Sequence, residues 1–135
     1  MSIYVLDSSA LIRYIDNEPG AERMEEILKA CALGRARVEI SVIQWGEVAG
    51  NIRKRAGARE EGRILSLLPS EVQVVAVTGD GAIRAAALKV DRGMAYADAF
   101  ALELAMESSN KVLVTADYGF KAVEELCRIE FLPAK

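Results

Sequence analysis

Asp7, Glu47, Asp98 and Asp117 are the residues of this 135-residue chain whose types and placement suit chemistry. Asp7 closes the run Ile3-Tyr4-Val5-Leu6. That run has no polar alternation, the pattern of a strand covered on both faces in the middle of a parallel sheet. Open α/β sheets place their ligands at the carboxyl ends of strands, where Asp7 falls. Asp117 follows a second such run, Val112-Leu113-Val114, after Thr115 and Ala116. Glu47 lies within the second turn of a helix starting at Ser41, and Asp98 opens an almost wholly apolar helix, Ala95 to Met106. Each acid has an ordinary reading. Asp7 suits a turn or a helix cap, Asp117 a loop and Glu47 a solvated helix face. Asp98 suits a helix N-terminus, where a carboxylate stabilises by roughly 0.3–1 kcal/mol. Together they demand more, because alternating strands and helices send all four toward one rim.

Carboxylates gathered in this way repel. Two unit charges ~4 Å apart cost on the order of 4 kcal/mol at an effective dielectric of 20. The group must take up protons or hold a cation, and oxygen donors without nitrogen or sulfur suit one or two Mg²⁺ or Mn²⁺ ions. Two such ions about 3.5–4 Å apart activate a water and stabilise the leaving oxygen of an in-line phosphodiester displacement. The chain has no histidine, which excludes Ser-His-Asp and Cys-His nucleophiles and histidine-ligated zinc.

Other motifs fail on a residue. Gly79-Asp80-Gly81-Ala82-Ile83-Arg84 stands between strand and helix as a dinucleotide fingerprint should, but its sixth place is Arg84 rather than Gly or Ala. No phosphate-binding loop ending in Gly-Lys-Ser or Gly-Lys-Thr occurs. An aspartyl-phosphate enzyme would carry a second Asp two places after Asp7, where Ser9 stands. A receiver-like regulatory domain would account for acids at strand ends but not for Asp98 in a buried helix.

The elements that must position the acids follow from pattern and punctuation. Ser8 or Ser9 is expected to cap a helix beginning Ala10-Leu11-Ile12. Asp16 to Gly20 reads as a turn, and a helix through Met24, Ile27, Leu28 and Cys31 ends at Gly34 in the C′ position. Val38 to Ile40 reads as a second strand, and Ser41 with Gln44 three places on has the form of a capping box. Asn51 to Leu68 is helical with a break at Gly57 or Gly62, stopped by Pro69. Val72 to Val77 and Ile129 to Leu132 read as strands, and Val123 to Cys127 as a short helix. The alternation predicts one α/β domain over residues 1–135, a three-layer α/β/α sandwich with a central parallel sheet of about five strands.

Composition narrows the setting. Cys31 and Cys127 form no CxxC and read as free thiols in a reducing compartment. No membrane-length apolar run occurs and the chain opens directly into a strand, so a cytoplasmic protein is expected. The net charge of −3 argues at first against a nucleic-acid partner. Twenty acids less these four leave sixteen against seventeen bases, so the scaffold outside the rim is +1. Arg53, Lys54, Arg55, Arg59 and Arg63 are candidate phosphate contacts, with Arg13 a further one near Asp7. A solvated helix face explains the basic cluster equally well. Tyr14, Trp45 and Tyr118 are candidate groove aromatics, with Trp45 better suited to the core.

Four segments together resemble the PIN-domain family, and within it the VapC-type toxin ribonucleases of VapBC toxin–antitoxin systems. They are Val5-Leu6-Asp7-Ser8-Ser9-Ala10-Leu11-Ile12, Ser41 to Val48 with Glu47, Tyr96-Ala97-Asp98-Ala99-Phe100, and Leu113-Val114-Thr115-Ala116-Asp117-Tyr118-Gly119-Phe120. The resemblance spans the whole length. It implies an Mg²⁺- or Mn²⁺-dependent endoribonuclease with Asp7, Glu47, Asp98 and Asp117 around the metal. It also implies a supporting hydroxyl at Thr115, with Ser8 as a second, a homodimer, and an antitoxin bound in the active-site groove. The further acid that many relatives carry after the fourth is absent here, where Tyr118, Gly119 and Phe120 follow Asp117. The alternative is a PIN-like interaction module without cleavage.

Overall fold

A computed structural model describes residues 1–135. Five parallel strands lie in the order β3-β2-β1-β4-β5: β1 Ser2–Leu6, β2 Ala36–Ser41, β3 Gln73–Val75, β4 Lys111–Thr115 and β5 Arg128–Phe131. Between them run α1 Ser8–Ile15, α2 Ala21–Ala32, α3 Val42–Ala56, α4 Ala58–Leu67, α5 Gly79–Arg92 and α6 Tyr96–Ala105. β1 is central, paired with β2 on one side and β4 on the other.

The period of two along β1 splits its side chains between two cores. Leu6 joins Val38, Ile40 and Val114 under α1, α2 and the buried Val48 and Ile52 of α3. Val5 and Leu113 face the other way, under Ala101, Leu102, Leu104 and Ala105 of α6. Val5 and Leu6 are both fully buried, as a doubly covered parallel strand requires. Helices on both faces complete the expected three-layer sandwich. α5 packs on the outer side of α6 through Ala85, Ala99 and Phe100. No helix is long and apolar enough to cross a membrane.

Several local expectations shift. α1 starts at Ser8 with Asp7 in the cap position, and no side-chain cap bond forms there. Both serines therefore lie in the first turn instead of before it. Ser41 does cap α3, accepting from the Ile43 amide at 3.2 Å. Gln44 does not close the box: its Oε1, which would accept from the Ser41 amide, has no hydrogen-bond partner. The break in the basic helical stretch is Gly57, whose φ of +87° a side chain would oppose. Gly62 continues inside α4. β3 is shorter than Val72 to Val77 because only three residues of this edge strand pair with Glu39–Ser41. The helical turn near the end is 3-10, at Tyr118–Val123, earlier than predicted because Asp117 nucleates it, its Oδ1 accepting from the Gly119 amide at 2.8 Å. Cys31 and Cys127 are both free.

Candidate active site

From β1 the chain works outward to β3, then crosses to β4 on the other side. The carboxyl ends of β1 and β4 form the switch point, where open α/β sheets leave a crevice. Asp7 follows β1 there, its amide donating to the Val114 carbonyl at 3.0 Å, and Thr115 ends β4.

Asp7 is 2% exposed and its two carboxylate oxygens have different surroundings. Oδ2 accepts from Ser9 Oγ at 2.6 Å and from Thr115 Oγ1 at 2.9 Å. Those hydroxyls in turn accept from the amides of Ala116 and Asp117, each at 2.9 Å. Since each hydroxyl has one proton and directs it at Asp7, the 3.2 Å approach between them is proximity rather than a third bond. Oδ1 is buried with no hydrogen-bond partner. Burial pushes the Asp7 carboxyl up; the Ser9 and Thr115 hydroxyls work against that, and repulsion from Asp117 adds to it.

Asp98 is half-buried in the first turn of α6. Its carboxyl is pushed up to about 6, by burial first and then by the charges of Asp7, Asp117 and Glu47. A helix N-terminus alone would favour the ionised form, so burial and the other three acids outweigh it. Glu47 of α3 is more open, yet its carboxyl is also raised, by burial and then by Asp7, with the Ser8 hydroxyl and the Gln44 amide opposing. Asp117 lies in the exposed turn that its own side chain caps. Four acids from four separate elements thus fall within electrostatic reach of one another.

A hard divalent ion fits this donor set. Every available ligand is a carboxylate oxygen, and Asp7 Oδ1 is an acceptor without a donor. The carboxylates do not form a closed cage, since no three acidic or thiol groups stand together at coordination spacing. Clefts open on both sides of the rim. One of about 240 Å³ lies between the α5–α6 link and the 3-10 turn, lined by Arg92, Met94, Asp98 and Phe120 among others. Another of about 300 Å³ is lined by Arg13, Asp117, Tyr118 and Lys135 among others. The largest, about 530 Å³ beside Lys111 and Cys127, opens at the amino end of the sheet, away from the acids.

One supporting hydroxyl differs from expectation. The one that reaches Asp7 besides Thr115 is Ser9's, while Ser8 makes no side-chain bond to Asp7 and instead favours the charged form of Glu47. The helix phase set by a start at Ser8 decides this. Arg13 needs a correction. It is 8% exposed and its Nη1 donates to the carbonyls of Pro19 at 2.6 Å and Pro133 at 2.7 Å, so it ties the C-terminal tail to the turn after α1. Arg53 pairs with Glu61, Arg55 with Asp16 and Arg63 with Glu60, leaving Lys54 and Arg59 exposed without an acidic partner. Trp45 packs against the larger core. Tyr118 is exposed at the rim, its hydroxyl donating to the Leu132 carbonyl at 2.8 Å. Ser9 contacts the site, where sequence reasoning had it only as a helix cap; the doubled serine after Asp7 was the available signal.

The model of the PIN domain matches residues 4–126. The chain belongs to the PIN-domain family. Solved structures share the fold. VapBC2 from Rickettsia felis, bound to a promoter DNA fragment, superposes with a TM-score of 0.75 at 17% identity, over 97% of this chain and 99% of that one. VapC20 of Mycobacterium tuberculosis, a toxin that cleaves the sarcin-ricin loop, gives 0.74 at 21%, over 98% and 100%. DNA-bound VapBC from Salmonella typhimurium gives 0.71 at 21%, over 97% and 98%. No curated protein sequence matches this PIN domain.

Proposed function

We propose that this PIN domain is a single-domain, Mg²⁺- or Mn²⁺-dependent endoribonuclease and the toxin of a type II toxin–antitoxin pair, acting in the cytoplasm. The observation that carries the reading is Asp7. It is buried at the switch point, clamped on one oxygen by Ser9 and Thr115, unpartnered on the other, and within reach of three more carboxylates. Asp7 through Oδ1, with Asp98, Asp117 and Glu47, would hold the ion. Bound there, a divalent ion would activate a water and neutralise charge on the scissile phosphodiester.

The remaining work falls to the protein. Ser9 and Thr115 hold Asp7 Oδ2, which leaves Oδ1 without a hydrogen-bond donor and free for the ion. The clefts beside Asp98 and Asp117 take the strand on either side of the cut, and Lys54 and Arg59 supply salt-sensitive backbone contacts. RNA as substrate is supported by the VapC20 likeness, and an antitoxin partner by the VapBC likenesses; its seat would be the groove at the rim. A homodimer is supported by Ile83 and Val90, seven apart on α5 and 69% and 77% exposed.

Labelled structured RNAs incubated with Mg²⁺ or Mn²⁺, with EDTA, and with Asp98→Asn test the reading. Cutting that needs the metal and disappears in both controls is expected. Absence of cutting by the folded, antitoxin-free protein across an RNA panel would overturn it in favour of an interaction module.

A further inference from the structure

α3 carries a polar residue that the carboxylates do not explain. Gln44 is completely buried. Its Nε2 donates to the carbonyl of Ala97 at 2.5 Å, the residue immediately before Asp98. That carbonyl dictates which way round the amide lies, and Oε1 is left buried with no hydrogen-bond partner. An amide oxygen in that condition destabilises a fold, and Leu or Met would fill a similar volume without the penalty. Packing alone therefore does not account for glutamine here.

Its position does. Gln44 and Glu47 are three apart on α3 and share a face, while Ala97 and Asp98 are adjacent in the first turn of α6. The Gln44–Ala97 bond is the one side-chain hydrogen bond joining α3 to α6. Resting on the reading of the rim as a divalent-cation site, we propose that Gln44 is a positioning residue. It ties the first turn of α6 to α3 and so sets the separation at which Glu47 and Asp98 share an ion.

Mn²⁺ titrated calorimetrically into wild type, Gln44→Met and Gln44→Leu, with urea denaturation of each in EDTA, tests this. Both variants are expected to match or exceed wild-type stability in EDTA while binding Mn²⁺ about tenfold more weakly or worse. If the apolar variants do not fold, Gln44→Asn, polar but one methylene too short to reach Ala97, is expected to show the same loss. Variants that bind Mn²⁺ with wild-type affinity, whatever their stability, would overturn the role of Gln44 and leave the cation site standing. A wild type that binds no Mn²⁺ would overturn the site itself, and the role with it.

Discussion

At the scale of single residues the rim is governed by opposition between burial and hydrogen bonding. The carboxyl of Asp7 is held out of water, and the Ser9 and Thr115 hydroxyls favour the charge that burial disfavours. Thr115→Val keeps the shape and removes one of those protons. The expected result is a loss of about 1–2 kcal/mol in urea denaturation and about tenfold weaker Mn²⁺ binding by calorimetry. Asp98 acts on stability in the opposite sense to a salt-bridged acid. Its carboxyl rises from an ordinary 3.8 to about 6 on folding, so the folded protein binds more protons than the unfolded chain between those values. Its contribution is fully present below about pH 3.8 and is lost as pH rises through about 6. Half-exposure reduces the effect to on the order of 1 kcal/mol. Denaturation in EDTA at pH 4.5 and pH 7 is expected to show wild type losing stability with rising pH relative to Asp98→Asn.

At the scale of elements, two glycine turns set how the helices pack around the sheet. Gly20 sits before α2 at φ +97°, and a Cβ there would lie 2.8 Å from Leu132 Cβ. The close approach seats Leu132 in the larger core, next to the Pro133 carbonyl that Arg13 holds. Gly20→Ala combines a left-handed backbone with an overlap that the adjoining chain must relieve. It is expected to cost ~2–3 kcal/mol, seen as a Tm lowered by several degrees in calorimetry. Gly57 plays a different part. It separates α3 from α4 at φ +87° with open space around it, letting α4 fold back so that Arg53 of α3 meets Glu61 of α4 at 3.6 Å.

At the scale of the whole molecule, charge decides how an acidic protein approaches a polyanion. The net −3 lies in the four rim acids, with a scaffold of +1 around them. On the proposed reading, divalent cations at the rim would offset the repulsion of a phosphate. Three of the five arginines and lysines on α3 and α4 are paired with acids, so this pair of helices carries little free positive charge. RNA affinity is accordingly expected to fall only gently with salt. Changing Lys54 and Arg59 to Ala is expected to flatten the slope of log K against log[salt] by about 0.7 for each phosphate no longer neutralised. Filter binding of the Asp98→Asn protein at several salt concentrations measures this without cleavage, and an unchanged slope would remove both residues from the RNA path.

The sequence by itself determined the architecture and the class of chemistry. Hydrophobic period, Gly and Pro punctuation and helix caps are local signals, and they announce five strands, their order along the chain, and the acids that end them. The lack of histidine, and four acids that the strand–helix alternation sends to one rim, point to oxygen-ligand chemistry. Tertiary structure decided which neighbours each side chain meets. Asp7 bonds to Thr115 across 108 positions and Arg13 to Pro133 across 120, pairings made by the crossover from β3 to β4 and by the return of the tail, which no local pattern encodes. The same dependence on long-range contacts ties Arg13 to the C-terminal tail and draws Gln44 out of a capping box into the contact between α3 and α6.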